Sequence, residues 1–174
     1  MALGKNTKFY ETPNHPYQGE RISQEHGLVG QYGLKNKEEL WRAESELRSL
    51  RREARGLLGQ AQGDAELAEQ DGADFLTRLR RYGILDDEGG LDDILSLNVT
   101  DILERRLQTV VYRKGLANSP KQARQFITHG HIAIKDRRVR TPSYTVSVSE
   151  ENLVSIDDNS PLADELHPER AEAQ

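Results

Sequence analysis

Ser119-Pro120-Lys121-Gln122-Ala123-Arg124-Gln125-Phe126-Ile127-Thr128-His129-Gly130-His131-Ile132-Ala133-Ile134-Lys135 changes its period midway, and that change decides the fold. Ser119 is a helix cap, Pro120 suits the first helical position, and Gln122 stands where it returns a capping hydrogen bond. Ala123, Phe126 and Ile127 then face one way, and Gly130 ends the helix behind His129. Beyond Gly130 the repeat falls from 3.6 to 2. Ile132 and Ile134 share one side of a strand, and His131, Ala133 and Lys135 the other. Asp136-Arg137-Arg138 reads as a turn and Val139 as the start of a return strand, which Pro142 interrupts. Tyr144, Val146 and Val148 alternate with Thr145, Ser147 and Ser149, the pattern of a half-buried strand. Leu153, Val154 and Ile156 add a short piece.

Upstream, one longer helix is expected from Asn98 or Thr100 to about Lys114, with Ile102, Leu103, Leu107, Val110 and Val111 inward and Gly115 as its stop. Shorter helices are expected over Leu91–Leu97 and around Asp74–Tyr82. Asn36, with Glu39 three residues on, opens a helix whose Leu40, Ala43, Leu47, Leu50, Ala54 and Leu57 form one stripe, and Gly59 is its expected stop. Residues 1–35 are rich in Pro and Gly and read as an extended arm. The fold class is α+β: an arm (1–35), a helical domain (36–103), a helix-turn-helix with a small twisted hairpin or sheet (104–156), and an acidic, disordered tail (157–174).

Charge singles out the third segment. The chain carries −5 overall, yet residues 104–148 carry +8, residues 61–103 carry −8 and residues 149–174 carry −7. Only Glu104 and Asp136 are acidic within that basic block, where a solvated surface mixes signs. A polyanion-binding module fits this asymmetry. Its candidate contacts are Arg105, Arg106, Arg113 and Lys114 on the longer helix; Lys121, Arg124, Gln125 and His129 on the short one; and His131, Lys135, Arg137, Arg138 and Arg140 on the strand and turn. The free amides of Lys121 and Gln122 suit a phosphate. Secondary candidates are Lys5, Lys8, Arg21, Lys35 and Lys37, with Arg48, Arg51, Arg52 and Arg55 on the first helix. No long recognition helix is visible, so RNA is favoured over DNA, read by shape, phosphate and 2′-hydroxyl. Changing Arg124, Lys135 and Arg138 together to Ala is expected to weaken RNA binding and spare the fold.

Other classes are weaker. The chain has no cysteine, which excludes disulfides, thiolate zinc sites and thiol catalysis. His129 and His131 lack a third convergent ligand, so no metal is expected, and no cofactor. No catalytic constellation or specific phosphate loop appears, and an enzyme is not expected. No apolar run is long enough to span a membrane, and Met1–Tyr10 lacks the apolar core of a secretory signal. A cytoplasmic location is expected. A free RNA-binding regulator or quality-control factor would share the basic block, but an arm gains little without a groove to lie in.

Several separated motifs resemble one family in its own order. Arg106-Leu107-Gln108-Thr109, Lys114-Gly115-Leu116-Ala117, Ala123-Arg124-Gln125-Phe126-Ile127 and His129-Gly130-His131-Ile132, with Val139 and Pro142-Ser143-Tyr144, resemble the RNA-binding domain of small-subunit ribosomal protein four. Tyr10-Glu11-Thr12-Pro13, Glu20-Arg21, Tyr32-Gly33-Leu34-Lys35-Asn36-Lys37 and Trp41-Arg42 resemble the N-terminal part of its archaeal and eukaryotic branch. Leu85-Asp86, Leu91-Asp92 and Ile94-Leu95 resemble its middle. The resemblance implies a structural constituent of the small ribosomal subunit. It would bind small-subunit (16S-type) rRNA early in assembly and support translational accuracy. Contact with small-subunit protein five, a functional link to protein twelve, and a place near the path by which mRNA enters are implied with it. The zinc site of many bacterial members is not carried over, since its cysteines are missing.

Arg outnumbers Lys by 17 to 7, and acids exceed bases by 29 to 24. This points to a salt-loving archaeal source, in which carboxylates hold water and cations at the surface. Leu, Ile, Val and Phe make up about 23% of the chain, close to the lower limit for a packed core.

Overall fold

The computed structural model describes residues 8–60, 65–164 and 167–169. Five helices come first: α1 (Gly19–Gln31), α2 (Lys37–Gln60), α3 (Ala65–Arg81), α4 (Leu91–Ser96) and α5 (Val99–Glu104). The stripe on α2 packs as its spacing predicts, with Leu40, Ala43, Leu47, Ala54 and Leu57 buried. The first half of α2 closes a cluster with Tyr32, Leu34, Ile102 and Leu103. Its second half closes another with Phe75, Leu79, Ile84, Leu85 and Ile94. Leu50 and Leu97 touch both clusters.

Three expectations here are corrected. The segment read as an extended arm contains α1. Gly19, Gly27 and Gly30 depress its helix propensity, so packing holds it: Leu28 and Val29 sit against the first cluster, and the buried Glu25 accepts from Lys37 Nζ at 3.0 Å and Trp41 Nε1 at 3.2 Å. Gly59 does not stop α2, which runs on to Gln60. The helix expected around Asp74–Tyr82 starts earlier, as α3 from Ala65.

The single helix expected from Asn98 to Lys114 is broken in two. After α5 the chain extends at Arg106 (φ −77°, ψ 142°) and re-enters a helix as α6 (Leu107–Arg113). Residues 142–146 fill the break. The Leu107 N–H donates to the Tyr144 carbonyl at 2.7 Å, and the Val146 N–H donates to the Arg105 carbonyl at 2.9 Å. Thr145 bridges Arg106 in antiparallel fashion. Backbone groups freed by the break are thus satisfied from a distant segment. That segment is the expected Tyr144–Val148 strand, which forms no strand beyond this bridge. Ser147 instead opens α8 (Val148–Glu151).

Helix α7 (Pro120–His129) begins as read: the Ser119 hydroxyl accepts from the Gln122 N–H at 3.2 Å. Gln122 returns its bond one residue earlier than expected, to the N–H of Asn118 at 2.6 Å. Gly130 ends the helix at φ 80°, and a Cβ there would stand 2.9 Å from Arg140 Nε. Strands β1 (Ile132–Ile134), β2 (Arg137–Arg138) and β3 (Val154–Ile156) form an antiparallel sheet in the order β2-β1-β3. The pair Ile134↔Arg137 places the turn at Lys135-Asp136 rather than at Asp136–Arg138, with Lys135 left-handed at φ 54°. Leu107, Val110, Val111, Phe126, Ile127, Ile132 and Val154 pack into one core beneath the sheet.

The expected disordered tail begins ordered. A 3₁₀ turn, Pro161–Ala163, drops Leu162 into that same core, 4% exposed.

Candidate nucleic-acid interface

Many candidate cations prove to be paired within the fold. Arg106 is 8% exposed at its side chain and meets Glu39 at 3.2 Å. Arg124 meets the other oxygen of the same carboxylate at 2.5 Å and donates to Gln108 Oε1 at 3.1 Å. Arg105 meets Glu151 at 2.9 Å and the Val146 carbonyl at 3.2 Å. Lys114 reaches the carbonyls of Glu151 and Val154 at 2.6 and 3.1 Å. Arg113 is exposed and pairs with Glu104 at 2.7 Å. Among the secondary candidates, Arg21 and Lys37 hold Glu25, Arg48 pairs with Glu11, and Arg51 donates to the Leu97 carbonyl. Arg55 Nε donates to the Arg51 carbonyl at 3.1 Å. Lys8 is exposed, and Lys5 lies outside the described residues.

Glu39, Gln108 and Gly33 form the knot that sequence reading missed. Gln108 is 2% exposed. Its Nε2 lies 3.1, 2.9 and 2.8 Å from the carbonyls of Tyr32, Gly33 and Pro120. Gly33 turns at φ 58°, and a Cβ there would meet Pro120 Cβ at 2.8 Å. The only signal for Glu39 in the sequence was its spacing from Asn36. The Asn36 side chain does accept from the Glu39 N–H at 3.2 Å, while the Glu39 carboxylate turns to Arg106 and Arg124. Burial raises the Glu39 carboxyl, but the Arg124 hydrogen bond and the charges of Arg106 and Arg124 outweigh it and hold the group below the ordinary range. Burial likewise lowers Arg106, against the pull of Glu39. A guanidinium stays charged through such a shift.

What remains outward is narrower than expected. Lys35, Arg52, Lys121, Lys135, Arg137 and Arg140 are exposed and make no ion pair among the described residues. Three of these six sit on the β1–β2 hairpin and its exit. There, Ile134 to Thr141, Tyr144 and Glu150 line an open groove of about 590 Å³. Arg138 lies on the same groove, 44% exposed, and pairs with Asp157 at 2.5 Å. The Tyr144 hydroxyl donates to Glu150 at 3.0 Å, so this ring is fixed at the groove wall. Gln125 and His129 are exposed on α7. His131 is half-buried, with Nδ1 2.8 Å from the Ser160 hydroxyl. Burial first, then His129 and Arg138, holds its imidazole below the ordinary value. The Gln122 amide expected to be free for phosphate is taken by Ser119. The geometry suits an extended polyanion: a rigid cationic hairpin, an aromatic wall, and behind them arginines locked to carboxylates.

Among the described residues no group of three or more His, Asp or Glu side chains is arranged to hold a metal ion, and no helix is long and apolar enough to cross a membrane.

Comparison with known proteins agrees with this geometry. The family described as the S4 domain matches residues 105–152, which span the break, α6, α7, the β1–β2 hairpin and α8. The chain is 68% identical to small ribosomal subunit protein uS4 of Natronomonas pharaonis over 174 residues, covering 100% of both. It is 67% identical to that of Haloarcula marismortui, covering 100% of this chain and 99% of the relative. It is 54% identical to that of Methanococcus vannielii, covering 98% and 93%. The first two come from salt-loving archaea, as the acidic, Arg-rich composition led us to expect. With identity this high along the whole chain, the protein belongs to the small ribosomal subunit protein uS4 family, in its archaeal branch.

Proposed function

We infer that this chain is a structural, non-enzymatic constituent of the small ribosomal subunit that binds small-subunit rRNA directly. The observation that carries the reading is full-length identity to a family of ribosomal subunit proteins. The cationic hairpin supports it. Lys121, Lys135, Arg137 and Arg140 are the direct phosphate contacts, with Gln125, His129 and the outward edge of Arg138 beside them. Arg105, Arg106, Lys114 and Arg124 are positioning residues that hold the hairpin's support. Arg52 and Arg55 on α2, and Lys35 just before that helix, are secondary, weaker contacts. Residues 104–156 are the RNA-binding unit and residues 36–103 its helical brace, with α1 belonging to the brace. Early binding in assembly, support of translational accuracy, contact with small-subunit protein five, the link to protein twelve and a place near the path of incoming mRNA extend the same reading.

The test replaces Lys135, Arg137 and Arg140 together with Ala. This set supersedes Arg124, Lys135 and Arg138, because Arg124 pairs with Glu39 and Arg138 with Asp157 inside the fold. The hairpin triple variant is expected to lose about 10- to 100-fold in affinity for a small-subunit rRNA fragment, by loss of three phosphate contacts. Its melting temperature should stay unchanged. Normal binding by that variant refutes the assignment of the surface. Gradient sedimentation of a cell lysate tests the ribosomal role: the protein must travel with the small subunit.

A further inference from the structure

We propose that the groove beside the β1–β2 hairpin seats one unpaired rRNA nucleotide, its base stacked on Tyr144 and giving an amino hydrogen bond to Glu150 while its phosphates meet Lys135, Arg137 and Arg140. This deepens the rRNA reading and rests on it.

Tyr144 is a fixed platform. Its N–H donates to the Thr141 carbonyl at 3.2 Å, and its carbonyl accepts from the Leu107 N–H at 2.7 Å. Its hydroxyl donates to Glu150 Oε1 at 3.0 Å. Held at backbone and tip, the residue is still 36% exposed, on the wall of an open space of about 590 Å³. Sites for small molecules span about 300–1,000 Å³. Bases stack on such rings, and sequence-specific readout of RNA favours unpaired bases over the duplex.

The charges divide the groove between the two ends of a nucleotide. Lys135, Arg137, Arg138 and Arg140 line it and attract phosphate; Asp136 and Glu150 line it too and repel phosphate. A row of duplex phosphates would gain from the first set and lose to the second. A nucleotide turned base-inward meets Glu150 with a neutral donor instead. Glu150 is held below the ordinary carboxylate range, first by the Ser147 hydroxyl and then by the Ser147 N–H, with Tyr144 and Arg81 adding against burial. The Tyr144 phenol is raised by burial first and by Glu150 next, against the charge of Arg137. Near neutral pH the two are thus an ionised acceptor and its committed donor. An ionised carboxylate offers about four acceptor sites. Ser147 takes two on Oε2, at 3.1 and 2.7 Å, and Tyr144 takes one on Oε1. The site left over is on Oε1, the oxygen that Tyr144 already marks.

One acceptor beside a stacking face selects among bases. Cytosine presents an N4 amino group, which carboxylates accept, and adenine and guanine carry amino groups as well. The N3–H of uracil lies between two carbonyls, whose oxygens a carboxylate repels. The groove therefore takes an amino-bearing base and rejects uracil.

The experiment measures binding of the full chain to a small-subunit rRNA fragment and to hexamers of cytidylate and of uridylate, at the lowest KCl that keeps every variant folded. Wild type should prefer the cytidylate hexamer by about 3- to 10-fold. Tyr144→Leu keeps apolar bulk without a π-face and should lose about 10-fold for the cytidylate hexamer. Tyr144→Phe keeps the ring and should stay within about 2-fold of wild type. Glu150→Gln should bring the two hexamers to equal affinity, because an amide also donates to the uracil carbonyls. Equal binding of the two hexamers by wild type, or binding of neither, overturns the proposal, and so does normal binding by Tyr144→Leu. If either Tyr144→Leu or Glu150→Gln unfolds the chain, the preference of wild type decides. Failure of wild type to bind the rRNA fragment overturns the rRNA reading together with this one, whereas normal binding of the fragment without a preference for cytidylate overturns this one only.

Discussion

Gln108 is an amide placed where three carbonyls and one guanidinium converge, and nothing apolar of its size can replace it. Gln108→Leu leaves the carbonyls of Tyr32, Gly33 and Pro120 without their donor, and Arg124 without one acceptor. We expect a loss of about 2–4 kcal/mol, read by chemical denaturation at constant high KCl. Gly33→Ala should cost a similar amount, because the left-handed turn and the approach of Pro120 both forbid a Cβ. Glu39 adds a pH dependence. In the folded chain Glu39, Glu104 and Glu150 are all held below the ordinary carboxylate value. Burial works against this at Glu39, whereas hydrogen bonds from Arg113 and Ser147 lead at Glu104 and Glu150. A depressed carboxylate gives its full stabilisation above the unfolded value, about 4.3, and loses it as pH falls through and below that value. The melting temperature should therefore drop between about pH 5 and pH 3. Glu39→Gln should flatten that drop, at a cost of about 2–4 kcal/mol near pH 7.

At the scale of elements, α7 is the piece most completely encoded in its own residues. Its cap, its proline and its closing glycine are all local, so Ser119→Ala should lower stability by about 1 kcal/mol without altering the hairpin's affinity for RNA; thermal melting and binding check the two halves. The α2 stripe was legible for the same reason, since a repeat needs no partner to be seen. The break between α5 and α6 was not. Ile102, Leu103, Leu107, Val110 and Val111 keep a helical spacing straight across it, and the backbone that opens it arrives from residues 142–146. The site divides in the same way. The hairpin cations were visible as a run. The pairing of Arg106 and Arg124 with Glu39 was hidden, because their partner lies on another helix 67 and 85 residues away. Helix α1 was missed because its glycines speak against a helix that tertiary contacts impose.

Across the whole molecule, the −5 is the sum of a basic unit at +8, two acidic segments at −8 and −7, and +2 over residues 1–60. Residues 61–103 bring −8 to the helical brace, and their mutual repulsion is screened only when the Debye length becomes short, about 3 Å at 1 M salt. The melting temperature should accordingly climb between low and multimolar KCl, and full stability at low KCl would count against adaptation to salt. The knot around Gln108 and Glu39 bears on synthesis as well. Gln108 meets Tyr32 across 76 residues, and Arg124 meets Glu39 across 85. A nascent chain emerges from its N-terminal end, so α1 and the head of α2 leave the exit tunnel long before the side chains that lock them exist. During that interval Leu40 and its neighbours lack Ile102 and Leu103 to cover them, and half-made copies are open to capture by chaperones or to aggregation. A protein built into ribosomes thus makes its own translation a vulnerable stage: pauses between the codons for Glu39 and Arg124 prolong the exposure, and brisk elongation through that interval protects the product.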